Sequence, residues 1–172
     1  MSISFNAILH EIEARKVIKL PQDISKELPS RGMVMVQGSM NGYPLIVPLE
    51  PDGKGSHWFS LKDSFLLETG INVGMTLSFD LEIMEEWIEP EIPDDIINAI
   101  EDNNLLTVWK SLTIKARWEW LRWIRSTNNS ATRQKRIEVA CSKLSHGDRR
   151  PCCFDSSRCT VPEVSQSGML KD

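Results

Sequence analysis

The spacing of apolar residues changes along this chain, from the two-residue alternation of β-strands to the spacing of helices. Residues 75–83 place Met, Leu, Phe, Leu and Ile at every second position, with polar residues between them. A one-residue slip would expose that whole row, so the alternation fixes the buried face of the strand. After Pro93, Ile96, Ile97 and Ile100 recur at helical spacing. The chain is therefore predicted to fold as a β part followed by a helical part.

Turn sequences divide the β part into short strands. Asn41-Gly42 separates two apolar runs, and this pair tolerates the positive φ of a tight hairpin. Residues 51–55, Pro-Asp-Gly-Lys-Gly, form a second turn before the strand-like residues 56–61. Short helices are expected at 22–28 and 63–68. Short strands joined by tight turns predict a small, mostly antiparallel barrel, and the fold class is α+β.

The helical part is predicted to contain four helices after a connector. Residues 85–91 hold four glutamates and a proline, which is typical of a solvated connector. Residues 113–126 carry Trp and aliphatic side chains over more than half of the helical wheel, which is wider than one core contact requires. Asn128, Asn129 or Ser130 can cap the helix that follows. Helices are also expected after Pro93 and at 105–112.

The charge of the chain changes sign near residue 110. Residues 1–109 hold 7 Lys/Arg against 18 Asp/Glu, and residues 110–150 hold 11 against 3. Such an asymmetry indicates a basic surface whose anionic partner is either another molecule or the chain's own acidic half. The residues that we expect to form this basic and aromatic binding surface are Lys115, Arg117, Trp118, Arg122, Arg133, Lys135 and Arg136.

Several basic residues of the helices have more specific expected roles. Arg133 falls in line with the buried stripe of its helix, so it should pair with an acid from the first half of the chain. Lys135 and Arg136 are better placed for solvent or a ligand. Arg117, together with Arg125, should lie against indole rings. We expect the Trp-rich helix to be packed on two sides, and hold as an alternative that one edge stays open to a partner.

The sequence has no nucleophile-elbow pattern, no zinc-protease helix and no pair of carboxylates in a recognisable catalytic motif. Asn41, Lys54 and His57 are the candidate residues for a pocket near the 53–55 turn, where His57 could act as an acid or base. A lone strand histidine is more often structural, so catalysis is the less favoured hypothesis. Residues 53–56 resemble the end of a phosphate-binding loop, but the required glycine five residues earlier is Pro48.

Compartment and metal content follow from simple features. No window approaches the roughly 18 apolar residues of a membrane span, and the N-terminus does not resemble a secretory signal. A cytoplasmic location is therefore expected, with Cys141, Cys152, Cys153 and Cys159 as free thiols. His146 and the last three cysteines have zinc-compatible side chains but match no standard spacing, so no metal or other cofactor is predicted.

Several short motifs resemble known bacterial families. Phe5-Asn6-Ala7, Leu20-Pro21, Val36-Gln37-Gly38, Asn41-Gly42, residues 53–57 and Gly74-Met75 resemble a small barrel domain of unknown function. Residues 93–96, 123–125 and above all 132–137, Thr-Arg-Gln-Lys-Arg-Ile, resemble the helical module of the YdeI/OmpD-associated, or bacteriocin-protection, family. Arg125-Ser126-Thr127 departs from the Ala-Lys often found there.

The resemblance implies a double-split β-barrel over residues 1–85, a helical module over 93–150 and an irregular tail over 151–172, in a bacterial cytosolic protein. It implies no established catalytic residues. The favoured hypothesis is a non-catalytic binding protein associated with stress or antimicrobial resistance, acting on an unknown anionic ligand or protein partner. The alternatives are a nucleic-acid-binding protein with a transcription-factor-like barrel and, last, a small-molecule enzyme using His57.

Overall fold

The computed structural model describes residues 1–172 and divides the chain into two compact units. The β unit comprises Met1–Glu86, Ser156–Cys159 and Glu163–Asp172, and the helical unit comprises Trp87–Asp155 and Thr160–Pro162. The end of the chain thus belongs to the same unit as its beginning. No helix combines the length and apolar character that a membrane span requires.

The β unit is built on a seven-stranded antiparallel sheet that curls as a half-barrel. Its elements in chain order are β1 (Ser2–Ile8), β2 (His10–Ile12), β3 (Arg15–Lys19), α1 (Gln22–Lys26), β4 (Val34–Met40), β5 (Tyr43–Pro51), β6 (His57–Leu61), α2 (Asp63–Thr69) and β7 (Thr76–Ile83). The strands lie in the order β1-β7-β4-β5-β6-β3-β2. The predicted α+β class and the antiparallel N-terminal sheet are confirmed.

Alternation places the core of this unit on one face of the sheet. In β7, Leu77, Phe79 and Leu81 are buried whereas the residues between them are exposed, as the sequence predicts. Phe79 lies opposite Phe5 of β1, and their rings stack with centroids 4.9 Å apart. Burying side chains of this size contributes roughly 1.5–3 kcal/mol each, which holds the register of the sheet.

A short two-stranded hairpin near the end of the chain also belongs to the β unit. It consists of β8 (Ser165–Gln166) and β9 (Met169–Leu170). The amide of Leu170 donates to the carbonyl of Asp52 at 2.8 Å, which attaches the hairpin to the turn between β5 and β6. Residues 151–172, predicted to be irregular, therefore include this pair of strands.

The helical unit contains α3 (Asp94–Asp102), α4 (Leu106–Ser111), α5 (Ile114–Arg125) and α6 (Ser130–Ser145). A helix was predicted at each of these places, and the bounds predicted for α4 and α5 agree within one residue at each end. Their buried side chains form a separate core that includes Ile96, Ile100, Trp109 and Trp120. Each unit therefore has a hydrophobic core of its own.

Candidate functional site

Helix α5 occupies the centre of the helical unit. The Thr113 hydroxyl accepts a hydrogen bond from the amide of Ala116 at 3.1 Å and so caps the helix. Trp120 is fully buried, and its Nε1 donates to the carbonyl of Arg149 at 3.0 Å. Trp118 and Trp123 are half-buried. The wide apolar arc predicted from the sequence therefore results from packing on several sides, with one indole edge left accessible at Trp118.

Two arginines that were expected on an exposed basic surface are buried. Arg117 is 9% exposed; its guanidinium donates to Glu89 and to the carbonyls of Trp109 and Lys110. Arg122 is 1% exposed and lies over the Phe154 ring, 5.3 Å from its centroid. A buried guanidinium must satisfy its donors inside the protein. These two arginines hold the helical unit together and are not available to a partner.

The connector before α3 was predicted to be solvated, but in the structure it is attached to α5. Arg117 pairs with Glu89, the Trp118 Nε1 donates to the carbonyl of Ile88 at 2.7 Å, and the Lys115 ammonium lies 5.5 Å from the centre of the Trp87 ring. An amphipathic connector with a tryptophan can bind through its backbone and ring while its carboxylates remain in water.

These contacts create a surface that we call the indole–lysine patch, formed by Trp87, Ile88, Lys115 and Trp118. Lys115 is exposed, the two indoles are half-buried, and the Ile88 side chain is 43% exposed. Sequence analysis included Lys115 and Trp118 but missed the other two residues. The sequence feature that indicates them is an apolar Trp-Ile pair among glutamates, because a solvated connector gains nothing from apolar side chains.

The segment 132–137, which carries the most specific resemblance, connects three helices. Arg133 donates to both carboxylate oxygens of Asp95, at 2.8 and 3.0 Å. The predicted pair with an acid therefore forms, but the acid lies in α3 of the same helical unit and not in the first half of the chain. Arg136 donates to the Trp123 carbonyl and the Ser126 hydroxyl of the α5 C-terminus, and lies over the Trp123 ring. It is therefore a structural residue, and the prediction that it faces solvent is wrong.

Pairing with Arg133 also stabilises the ionised form of the Asp95 carboxylate. The hydrogen bond from Arg133, reinforced by its positive charge, lowers the pKa of Asp95 below its usual value despite partial burial. The pKa of Arg133 is raised by the same bond. Lys135 follows Arg133 by two residues on the chain. Its side chain is 74% exposed, and its ammonium lies 4.0 Å from a carboxylate oxygen of Glu138.

Most of the basic excess of residues 110–150 is balanced within the helical unit. This unit contains 11 Lys/Arg and 10 Asp/Glu. Ion pairs join Arg117 to Glu89, Arg133 to Asp95, Lys143 to Asp148 and Arg150 to Glu119. The charge asymmetry along the sequence is therefore largely an intramolecular one.

The three pocket candidates in the β unit have structural roles. Asn41, at φ 49°, accepts from the amide of Ser78 at 2.8 Å and anchors the β4–β5 turn. The Lys54 ammonium lies 3.4 Å from Asp172. His57 is 1% exposed; its Nε2 donates to the Gly32 carbonyl, and its Nδ1 accepts from the Ser25 hydroxyl. A histidine enclosed in this way cannot reach a substrate.

Two open depressions are present on the β unit, and none of the three candidates lines either of them. The larger, about 530 Å³, is lined by residues including Lys16, Asp63 and Leu67. The smaller, about 180 Å³, shares Lys16 and Asp63. These two residues pair with each other at 3.6 Å. Neither depression is lined by a histidine or a cysteine.

No disulfide joins any of the four cysteines; Cys141 and Cys159 are buried, and Cys152 and Cys153 are exposed. The sulfurs of Cys152 and Cys153 are 3.2 Å apart. No group of three or more His, Cys, Asp or Glu side chains has a geometry that could hold a metal ion.

Comparisons with known proteins agree with the two-unit structure. No curated protein sequence matches the chain significantly. Residues 5–81 match the model of a domain of unknown function (DUF1905), which covers most of the β unit. Residues 89–147, which include the 132–137 segment and the four helices, match the model of the family described as "Bacteriocin-protection, YdeI or OmpD-Associated". The resemblance identified from the sequence is thus confirmed: residues 5–81 are similar to DUF1905, and residues 89–147 are similar to the YdeI/OmpD-associated family.

Proposed function

We propose that this is a non-catalytic binding protein whose indole–lysine patch contacts a protein partner. The partner surface would offer a carboxylate for Lys115 beside apolar groups for Ile88 and the two indoles. The observation that carries the proposal is the bond from the Trp118 Nε1 to the Ile88 carbonyl, which holds the connector against α5 yet leaves the Ile88 side chain exposed.

The composition of the patch supports a protein partner. Tryptophan provides a large contact area at a small entropic cost, and it is enriched among the residues that dominate binding energies. A cation held over an indole ring is partly desolvated already, so less free energy is lost when a partner covers it. The exposed isoleucine adds apolar area, and removing this area from water on binding is favourable.

The remaining residues of the predicted basic surface take secondary roles in this proposal. Lys135 is exposed and can add a long-range attraction for an acidic partner. Arg117, Arg122, Arg133 and Arg136 support the helices from within. Because so many guanidinium groups are engaged inside the unit, a protein partner is favoured over nucleic acid.

The matched family description names protection from bacteriocins and association with OmpD. We extend this description only to the proposal that the protein acts through protein–protein contact in a bacterial stress response. The four free thiols support a reducing compartment, and hence the cytoplasm.

Quantitative affinity capture tests this proposal. Tagged wild type, Ile88→Asp and Lys115→Glu would be used on nuclease-treated bacterial lysate, with Lys62→Glu, an exposed lysine of the β unit, as the charge-matched control. The proposal is supported by proteins that wild type and Lys62→Glu both retain and that Ile88→Asp retains in an amount at least about tenfold lower. Equal retention by all four proteins would contradict it.

The nuclease treatment separates the two classes of partner. If capture requires intact nucleic acid, and if binding to an oligonucleotide falls steeply between about 50 and 200 mM salt, the nucleic-acid alternative replaces the proposal. Urea unfolding of each variant confirms that the substitutions leave the fold intact.

A further inference from the structure

Cys152 and Cys153 form a pair of exposed, adjacent thiols in the helical unit. In extended backbone, successive side chains point to opposite faces. Cys153 instead adopts a φ of 58°, in the left-handed region that non-glycine residues rarely occupy. This conformation brings the two sulfurs to 3.2 Å, well within reach of a bond between them.

We propose that Cys152 and Cys153 are a reversible redox modification site, oxidised to a vicinal disulfide by low-molecular-weight disulfides such as glutathione disulfide. One thiolate attacks glutathione disulfide, forming a mixed disulfide and releasing one glutathione thiolate. The neighbouring cysteine then attacks the protein sulfur of the mixed disulfide and releases the second. The two cysteines lose two hydrogens, and one glutathione disulfide becomes two molecules of glutathione.

The surrounding positive charges act on the reagent more than on the thiols. The hydrogen bond between the two thiols raises the pKa of Cys153 overall, and the positive charge of Lys143 offsets only part of that rise. Arg149 and Arg150 precede the pair on the chain and are exposed. A cationic, accessible setting of this kind attracts the carboxylates of glutathione disulfide, and the exchange depends on the closeness of the two sulfurs.

The product must be easily reduced, which distinguishes it from a structural disulfide. Adjacent Cα atoms are about 3.8 Å apart, below the roughly 4.4 Å at which unstrained disulfides begin. Strained and exposed disulfides are the labile ones. The pair therefore forms under oxidising conditions and reopens when thiols are restored.

The segment that holds the two cysteines is attached to α5 both before and after them, and oxidation would act on this segment. On one side, the Arg149 carbonyl accepts from the Trp120 Nε1, and Arg150 pairs with Glu119. On the other, the Phe154 ring lies beneath the Arg122 guanidinium. Closing the ring between these attachments changes the backbone at Cys153 and loosens the segment.

Intact-mass measurement after treatment with glutathione disulfide tests the assignment. Wild type should lose two hydrogen atoms and regain them with excess glutathione, whereas Cys152→Ser and Cys153→Ser should each accumulate one glutathione adduct. The double variant should not react in its native state, because Cys141 and Cys159 are buried.

Three results would overturn the proposal. These are a stable glutathione adduct on wild type, a disulfide-linked dimer on a non-reducing gel, or equal reaction of the double variant. Hydrogen exchange of residues 149–155 should rise in oxidised wild type but not in the treated double variant. Unchanged exchange in the oxidised protein would refute the loosening of this segment.

Discussion

Gly38 shows how closely two strands of the β unit approach each other. A Cβ atom at this position would lie 2.0 Å from the Asp80 carbonyl oxygen of β7, and the obstacle is backbone, which cannot rotate away. Gly38 pairs with Leu81 in the middle of the sheet. The glycine is therefore required by the spacing of β4 and β7.

Gly38→Ala should destabilise the protein by about 1–3 kcal/mol or more, because overpacking against rigid backbone forces the strands apart. Urea unfolding followed by circular dichroism measures this loss. Ser39→Ala, on the adjacent half-buried position, serves as the control and should change stability by less than about 0.5 kcal/mol. Equal stability of the two variants would show that β4 moves freely relative to β7.

The Asp95–Arg133 pair should make stability depend on pH at the acidic end. Because Arg133 lowers the pKa of Asp95, the folded state binds a proton less readily than the unfolded state. The contribution is thus fully present above the unfolded pKa of about 3.9 and is lost as pH falls through the lower folded value. Both side chains are partly exposed, so solvent screening limits the pair to about 1 kcal/mol.

A double-mutant cycle of Asp95→Asn and Arg133→Ala measures this contribution. The coupling free energy should be about 0.5–1 kcal/mol at pH 7 and should decrease as the pH falls below the unfolded pKa of the aspartate. A coupling energy that stays constant over this range would mean that the pair is held by packing and not by charge.

At the residue scale, sequence reasoning succeeded where periodicity determines a neighbour. Arg133 was correctly paired with an acid because it falls on the buried side of its helix. It failed at Arg122 and Arg136, because the Phe154 ring and the end of α5 that engage them lie outside the helix that carries each arginine. His57 resembled a pocket residue only because its partners, Ser25 and Gly32, could not be foreseen.

At the scale of elements, α6 depends on a cap that the sequence narrowed to three candidates. The structure assigns it to Asn129, whose Oδ1 accepts from the amide of Thr132 at 2.9 Å. Helix α6 in turn supplies Arg133 and Arg136 to the neighbouring helices, so fraying of its first turn weakens several contacts at once.

Asn129→Ala should lower the free energy of unfolding by about 1 kcal/mol, the usual loss for an N-cap. Gln134→Ala, at an exposed position of the same helix, is the matched control and should be neutral or slightly stabilising, since alanine is the better helix former. Thermal unfolding of both variants gives the comparison. Equal melting temperatures would place the stabilising interaction elsewhere in the helix.

The elements that periodicity marks strongly were predicted within one or two residues, notably β7, α4 and α5. The connector at 85–91 was misjudged, because its carboxylates suggested solvent while Trp87 and the backbone of Ile88 bind α5. The β8–β9 hairpin was missed because strands of two residues are too short to show alternation. Such strands form only because other parts of the chain supply their hydrogen-bond partners.

At the scale of the whole molecule, the end of the chain completes the unit formed by its beginning. Val164 and Leu170 are buried, the Leu170 amide bonds to Asp52, and the Cys159 amide bonds to the Gly168 carbonyl. Gly53 approaches this hairpin so closely that a Cβ would lie 2.0 Å from the Gly168 oxygen. The family models stop at residues 81 and 147, so neither includes this contribution.

Removal of residues 163–172 should therefore destabilise the β unit, although the shortened chain keeps all seven strands of the sheet. Loss of two buried aliphatic side chains removes roughly 1.5–3 kcal/mol each as an upper value, so urea unfolding should show a loss of at least about 2 kcal/mol. Removing only Asp172 should have little effect, because the Lys54–Asp172 pair is exposed. Gly53→Ala in the full chain should reproduce part of the loss, since its φ of 76° and the Gly168 oxygen both oppose a side chain. If both the truncated chain and Gly53→Ala matched wild type, the hairpin would be an appendage, and the sheet alone would account for the stability of the β unit.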